Sequence, residues 1–553
     1  MTLISRISLH RKLILTISLI CAFFWSVFSV SWDKDLFNSN GANTTFLILG
    51  SLFKPNLSPE ILILGVKATF ITLMYASAGM LIAIVIAVIF GTLGSGVLFG
   101  NSVFGNAIAT ISRSFLGFIR AIHELVWAFL FVSSIGLSPY AAVFALGIPY
   151  GGILGRILAD ILADAPKNSI LALRTSGASR LQTLFYGYLP MVSANIISYT
   201  MYRFECALRS SAIMSFIGIA GIGYQIQLSL SDLKFDEVWT FIFFLVAMAV
   251  LLDFWSIKLR ESMNIPKHER KKMNWVQISQ VLAVFLALTT WIYIISLDDA
   301  SFFGIFTENN LLFAKKFFSS MFGIGVENPA FLDIEQWKNA ISLTIETIIM
   351  GVLAIGFTAV ASLLTVLLAS KNVATGQLTM GNSLLTKPFF YLIRGFYIFT
   401  RSVPELVWAM LIVFIIKPGI IPGAIALALH NIGILGKLWA EVIDEMDTRP
   451  IRNLQLNGAN YVQMLFYGVI PSVFPQFLSF LFYRAEVIIR TTIVVGLAGA
   501  GGLGQEFKMS MSFFDYTNVT LLLICYIVIV FVTDFLSGLS RKIVKENSAI
   551  AEP

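Results

Sequence analysis

The sequence predicts an all-α polytopic membrane protein with about twelve spanning helices, built as two parallel six-helix repeats. The first observation behind this is composition. The chain has 553 residues, 57% of them hydrophobic and only 12% charged, against roughly 45–50% apolar and 25% charged in soluble domains. Its mean hydropathy is +0.83. A spanning helix needs about 20 apolar residues, and the chain holds material for about a dozen. The second observation is internal duplication, and the third is the placement of basic residues. Together they exclude a secreted disulfide scaffold, a nucleic-acid binder and a cytosolic enzyme.

The duplication is read directly from the residues. Ala172 to Pro190 (ALRTSGASRLQTLFYGYLP) recurs as Asn453 to Pro471 (NLQLNGANYVQMLFYGVIP), an offset of 281. The same offset carries Arg113 to Arg394, Arg120 to Arg401, and Glu124-Leu-Val-Trp-Ala128 to Glu405-Leu-Val-Trp-Ala409. It also carries Arg203, Glu205 and Arg209 to Arg484, Glu486 and Arg490, and Gly221 and Gly223 to Gly502 and Gly504. Such an ungapped register marks duplication and fusion.

Apolar segments follow in order at 13–31, 62–90, 114–137, 139–159, 191–218 and 238–257 in the first copy. The second copy has them at 275–297, 339–369, 388–416, 419–440, 472–497 and 518–540. Several contain Gly or Pro, so some are expected to be two short helices. The first repeat is taken as 1–264, a basic connector as 265–273 and the second repeat as 274–553. Residues 6–31 read as a retained anchor; the competing reading is a signal peptide, although no A-x-A site closes the apolar run.

Basic residues set the orientation. Arg6, Arg11 and Lys12 precede the first span, Lys267, Arg270, Lys271 and Lys272 crowd the connector, and Arg541, Lys542 and Lys545 follow the last span. The segment 298–337 is acidic instead. The positive-inside rule then places both termini and the connector in the cytoplasm of a bacterial inner membrane. With six spans per copy the repeats insert the same way up. The net charge of +7 is thus a matter of topology and of contact with anionic lipid. Cys21, Cys206 and Cys525 lie far apart in apolar stretches, and the four histidines show no metal-ligand spacing, so neither a disulfide framework nor a metal site is expected.

Between the fourth and fifth spans of each copy lies a polar-flanked segment, about 160–190 and 441–471. Gly177 precedes Pro190 by the same interval that separates Gly458 from Pro471. The pattern reads as a short helix, a glycine turn, a second short helix and a proline opening the next span. Here the chain resembles the permease subunits of ATP-binding-cassette importers, whose coupling loop has the form EAA-x3-G-x9-I-x-L-P. More narrowly it resembles the phosphonate-type permeases, through Arg401-Ser-Val-Pro-Glu-Leu-Val-Trp-Ala409, through Gly177-Ala-Ser-Arg-Leu-Gln182 with Tyr186, Gly187 and Pro190, and through Gly499-Ala-Gly-Gly-Leu-Gly-Gln505. The chain departs from the pattern at the EAA acid, where Leu171 and Arg452 stand, and at Pro404, whose counterpart is His123.

The resemblance implies a type I importer fold, with Ala172, Gly177, Ala178 and Pro190, and Asn453, Gly458, Ala459 and Pro471, forming the ATPase-coupling loops. It implies two ATP-binding cassette subunits on the cytoplasmic face and an extracytoplasmic substrate-binding protein as partners. It also implies a phosphonate or related phosphorus oxyanion (phosphite, phosphate) as cargo. No cofactor is expected in this chain, since ATP and Mg would belong to the partner ATPase. The chain has no G-x4-G-K-[ST] loop, and Gly499 to Gly504 lacks the βαβ context of a dinucleotide site.

Charges inside the spans carry the remaining signal. Glu205 and Arg209, like Glu486 and Arg490, are spaced for one helical face, with Arg203 and Arg484 two residues before each glutamate. Ionisable groups at membrane depth are costly unless paired or facing water. Two readings stand: ion pairs that lock helices, or an anion route lined by Arg209 and Arg490, with Ser210, Ser211, Thr491 and Thr492 adding hydroxyl donors. Arg120 with Glu124 and Arg401 with Glu405 read as further i,i+4 pairs that clamp helices. The rival to the importer is a twelve-span secondary transporter, which shares the topology but leaves the two Gly-to-Pro loops unexplained.

Overall fold

The computed structural model describes residues 3–32, 36–38, 41–100, 102–264, 275–297, 307–376, 378 and 383–546. The connector and its basic residues Lys267, Arg270, Lys271 and Lys272 lie outside them. Contacts divide the chain into two units. One comprises Ile48–Gly325, and the other Met1–Leu47 with Val326–Pro553.

The first helices in chain order are α1 (Leu3–Ser29), α2 (Gly41–Leu52), α3 (Pro59–Gly94), α4 (Val103–Ala121), α5 (Glu124–Ile135) and α6 (Pro139–Ala163). A loop hairpin follows, made of α7 (Lys167–Thr175) and α8 (Arg180–Gln182), the latter running through a π-helical stretch, Thr183–Tyr188, into α9 (Leu189–Met214). Then come α10 (Ile222–Ser231), α11 (Phe235–Asn264), α12 (Trp275–Leu297) and α13 (Glu308–Met321). The second copy repeats the plan: α14 (Ile334–Ala369), α15 (Lys371–Ala374), α16 (Ser383–Ser402), α17 (Glu405–Ile415) and α18 (Ile420–Glu445). It closes with α19 (Arg449–Leu456), α20 (Tyr461–Gln463), α21 (Ile470–Val495), α22 (Gly502–Ser512) and α23 (Tyr516–Glu546). Eight of the described helices are long and apolar enough to cross a membrane, or eleven if each of three bent pairs is one span; the apolar part of α1, Leu13–Ser29, is shorter.

Two of the expected spans are bent pairs of short helices. The segments 114–137 and 388–416 are not single helices: α4 meets α5 at 86° and α16 meets α17 at 95°. Pro404 explains the second break, because a proline pushes the residue before it out of the helical region. In the first, His123 takes extended backbone and its Nδ1 accepts the N–H of Leu125 at 3.2 Å, an N-cap that starts a new helix. Arg120 and Glu124 therefore sit on different helices, as do Arg401 and Glu405, so neither pair lies on one continuous helical face.

Small residues bring the central helices together. In the first unit α3 and α6 approach so closely at Gly91 that a Cβ there would lie 2.8 Å from the Gly155 carbonyl oxygen, the packing favoured between membrane helices. In the other unit Gly433 on α18 meets the Tyr397 carbonyl of α16 in the same way, at 2.5 Å.

The first helix of each repeat packs in the unit of the other repeat. Phe23 of α1 lies across Gly356 and edge-on to Phe357 of α14, at 6.0 Å between rings. Leu15 and Leu19 join Leu478, Phe482 and Val544. After α1, Asn38 donates to the carbonyls of Val413 and Phe414 at the end of α17. Correspondingly, α12 packs on α3, where Tyr293 meets Phe70 edge-on at 5.8 Å, and Trp255 of α11 donates to Ser279 at 2.8 Å.

The repeat also extends upstream of the register read from sequence. Thr72 accepts the N–H of Ile222 and Thr347 that of Leu503, both at 2.9 Å. Those acceptors differ by 275 residues rather than 281, so α3 and α14, each 36 residues long, align with a six-residue length difference lying between them and α4 and α16.

Candidate functional site

The loop hairpins take the form expected of them. Gly177 and Gly458 turn with φ of +87° and +85°, in the left-handed region that glycine enters without strain. Each is followed by a capping box, Ser179 with Gln182 and Asn460 with Gln463. The returning π-stretch packs back on the first short helix at a glycine: Gly187 against Leu173 and Ile170, and Gly468 against Ile451 and Leu454. Ala172 lies on α7 and Asn453 on α19, Ala178 and Ala459 follow the turn glycines, and Pro190 and Pro471 open α9 and α21.

Both copies tie the helix before the hairpin to α4 or α16, through Arg113 with Asp160 at 3.0 Å and Arg394 with Asp444 at 2.8 Å, and the first copy adds a second tether. Arg174 donates to the Val97 carbonyl and Arg180 to those of Leu98 and Phe99, between α3 and α4. Their counterparts at offset 281 are Gln455 and Tyr461. In the second copy Asp444, at the end of α18, also accepts from Ser370 and from the Lys371 backbone. Beside α19, hydrogen bonding by Arg449 holds the Asp447 carboxyl below the usual carboxylate range.

Farther along α9 and α21 lie the buried charges. In the first unit Arg209 Nη2 lies 3.6 Å from Glu205 Oε1 and 3.5 Å from Cys206 Sγ. The Arg203 guanidinium lies 5.0 Å and 5.3 Å from the ring centres of Tyr199 and Tyr202, and its Nε donates to the Tyr199 hydroxyl at 2.8 Å. Ser210 donates to Glu124 and is 2.8 Å from the Tyr150 hydroxyl. Ser211 donates to the Thr72 carbonyl at 2.8 Å.

In the other unit Arg490 is ion-paired with Glu486, which Arg541 also approaches at 3.5 Å. Arg484 donates to Asn431 at 3.1 Å. Thr491 and Thr492 donate to the carbonyls of Ile488 and Ile489, one turn back on the same helix. Among the described residues, Arg490 Nε is buried without a hydrogen-bond partner.

Each i,i+4 pair expected from the sequence on α9 and α21 is thus formed. The four hydroxyls are less available than expected, because each already donates within the protein. What sequence reading missed is the histidine beside each repeated glutamate. His123 Nε2 lies 3.6 Å from Glu124 Oε2, and His430 Nε2 lies 3.6 Å from Glu405 Oε2. The signal was present at offset 281, where His123 faces Pro404 and His430 faces Pro149.

Comparison with known proteins bears on this arrangement. The chain is 26% identical over 452 residues to the phosphate-import permease protein PhnE of Mycolicibacterium smegmatis, covering 79% of this chain and 78% of that one. It is 30% identical over 270 residues to the phosphite transport system permease protein PtxC of Stutzerimonas stutzeri, covering 48% of this chain and 90% of that one. It is 36% identical over 118 residues to the putative cryptic phosphonate transport system permease protein PhnE2 of Escherichia coli, 21% of this chain and 97% of that one. No solved structure matches the chain. The family of binding-protein-dependent transport system inner membrane components matches twice, over 92–257 and 378–545, each match taking in one loop hairpin and one set of buried charges, and the chain belongs to that family.

Proposed function

We propose that this chain supplies the whole transmembrane pair of an ATP-driven importer for a phosphorus oxyanion, of the class formed by phosphonate, phosphite and phosphate. Family membership makes it a transport permease component rather than an enzyme, and the secondary-transporter reading falls with it. The observation that carries the cargo class is the repeated buried guanidinium: Arg209 and Arg490, each beside a carboxylate one turn away on α9 or α21. A guanidinium offers a planar fork of donors that matches phosphoryl oxygens. The names of the relatives point to the same class of anion.

The proposed mechanism is alternating access. Two ATP-binding cassette subunits dock at the hairpins 160–190 and 441–471 on the cytoplasmic face and close on ATP. An extracytoplasmic binding protein delivers the anion, and the repeats rock to pass it inward past Arg209 and Arg490. Both termini lie in the cytoplasm, as the basic flanks require. The contribution of Ala172, Gly177, Ala178, Pro190, Asn453, Gly458, Ala459 and Pro471 is a stiff hairpin able to transmit that closure. Glu205 and Glu486 hold the two arginines in place, and Arg203 and Arg484 add positive charge to the route. The test is uptake of labelled phosphate, phosphite and a phosphonate by cells expressing R209Q, R490Q or both. Loss of uptake at unchanged membrane abundance supports the route, and unchanged uptake in the double variant overturns it.

A further inference from the structure

The helices that carry the two hairpins are packed differently at one place. Between α3, α6 and α9 of the first unit lies a cleft of about 260 Å³, with Val88 on α3, Leu154 and Leu158 on α6, and Ile196 and Ile197 on α9 among its walls. The lining is apolar but for two hydroxyls, and both are engaged within the protein. Thr200 donates to the Ile196 carbonyl at 2.8 Å, and the Tyr199 hydroxyl accepts from Arg203 at 2.8 Å. A buried water needs about two to four polar partners, which these walls do not offer. The cleft also exceeds the roughly 150 Å³ that suffices to hold a benzene molecule in an apolar protein cavity.

At the counterpart in the other unit, larger side chains take up the space. Trp439 stands for Leu158 and Phe477 for Ile196, and their rings stack at 4.5 Å with planes 3° apart. Trp439 Nε1 donates to the Phe477 carbonyl at 3.2 Å, which fixes the indole across the gap. Leu478 and Phe482 beside them are covered by Leu15 and Leu19 of α1. The outcome shows in exposure: Leu478 is 4% exposed and its counterpart Ile197 39%. One helical scaffold is thus completed by protein in the second copy and left open in the first.

Depth identifies what completes the open one. Ile196 to Met201 lie 7 to 12 residues beyond Leu189, the start of α9, which is about 10–18 Å along the axis. Val88 lies 6 residues before Gly94, the end of α3, or about 9 Å. One leaflet contributes about 15 Å of hydrocarbon, so the cleft opens within the leaflet on the hairpin side. Both α3 and α6 are long and apolar enough to span the membrane, and the mobile apolar matter at that depth is acyl chain. An empty cleft forfeits dispersion contacts along its walls. A methylene chain restores them without asking for a hydrogen bond. We propose that the first repeat binds a phospholipid here, with one acyl chain laid between α3, α6 and α9 in the place that Trp439 and Phe477 fill in the second. The site rests on the membrane-spanning fold and not on the importer reading.

The test uses the full chain in bilayers of phosphatidylethanolamine and phosphatidylglycerol, doped with a phosphatidylethanolamine that carries a diazirine part-way along its acyl chain. Irradiation inserts the carbene into whatever the chain touches, and peptide mass spectrometry locates the adducts. Leu154 and Leu158 are each only 6% exposed, so labelling there requires a chain inside the cleft; the exposed Val281 of α12 serves as the reference. The unaltered chain is expected to be labelled on α6 at both leucines. L158W/I196F gives the first repeat the filling of the second, and should lose labelling on α6 while keeping it at Val281. Should that variant fail to fold, W439L/F477I opens the second repeat, and labelling should appear at Leu435, the counterpart of Leu154. In lipid-stripped detergent solution, adding phosphatidylethanolamine back is expected to raise the unfolding temperature of the unaltered chain more than that of L158W/I196F. No labelling at Leu154 and Leu158 in the unaltered chain overturns the proposal, whether the cleft has closed or a protein segment fills it. Labelling on α6 that survives in L158W/I196F overturns it as well, as does failure of W439L/F477I to gain label or an equal rise in unfolding temperature for the filled and unaltered chains.

Discussion

Glu486 is the buried charge whose removal has the largest expected cost. It is 4% exposed and faces two guanidiniums, the paired Arg490 and Arg541 at 3.5 Å. Glu205, at 7% exposed, faces Arg209 at 3.6 Å. Two unit charges at that separation attract by about 5 kcal/mol at an effective dielectric constant of 20. Removing one member of a buried pair typically costs about 3–5 kcal/mol, because the other is left uncompensated. E486Q, which strands two cations, is expected at the upper end of that range and E205Q at the lower. In E486Q/R490Q the more buried of the two stranded charges is removed as well, and part of the loss should return. Urea unfolding of the purified chain in detergent, at constant denaturant slope, gives the comparison. A cost below about 1 kcal/mol for E486Q, or no recovery in E486Q/R490Q, would refute the reasoning, since both outcomes mean that water already screens the carboxylate.

The exchange of first helices predicts that oxidation of F23C/F357C, and separately of M74C/T290C (the Thr290 hydroxyl of α12 donates to the Met74 sulfur of α3 at 3.3 Å), joins the two halves of a chain cleaved at a protease site inserted in the connector; fragments that separate on a denaturing gel speak against it. Thr72→Val and Thr347→Val remove the acceptors for the first N–H groups of α10 and α22, and each should cost about 1 kcal/mol of unfolding free energy. Gly187→Leu places a side chain where even a Cβ would be 2.8 Å from Leu173. Displacement of α7 is expected to abolish stimulation of the partner ATPase by binding protein while leaving membrane abundance intact; normal stimulation would remove α7 from the coupling pathway.

What the sequence revealed and what it hid follow from how local each determinant is. The hairpins were legible because glycine turns, capping boxes and the opening proline are all encoded within about twenty residues. The break at Val403–Pro404 was legible in principle, since proline announces it. The equivalent break before His123 was not, because a histidine caps that helix through a side-chain contact with no fixed sequence signature. The helix α13 lies in the acidic segment 298–337, where its mixed composition, with Lys315 and Lys316 among aromatics, gives no apolar run to mark it. Packing of α1 with the second repeat was invisible for a different reason: Phe23 meets Gly356 across more than three hundred positions, and apolar helices of similar length offer many such pairings.

The same contrast explains which features of the repeats persist and which drift. The Glu–Arg pairs of α9 and α21 occupy equivalent positions, and their geometry is set by one helical turn, so either helix preserves them unaided. Contacts between helices carry no such constraint. Arg484 bonds to Asn431 where Arg203 is held by Tyr199, Arg174 and Arg180 reach backbone carbonyls in the first copy where Gln455 and Tyr461 stand in the second, and the imidazole beside the repeated glutamate arrives from a different place in each copy. Within one polypeptide the two repeats are always assembled together, so neither has to serve both positions. A separate chain that paired with its own copy would have to satisfy both sets of contacts with one set of residues. Fusion removes that requirement, and the contacts between helices are where the two repeats have diverged.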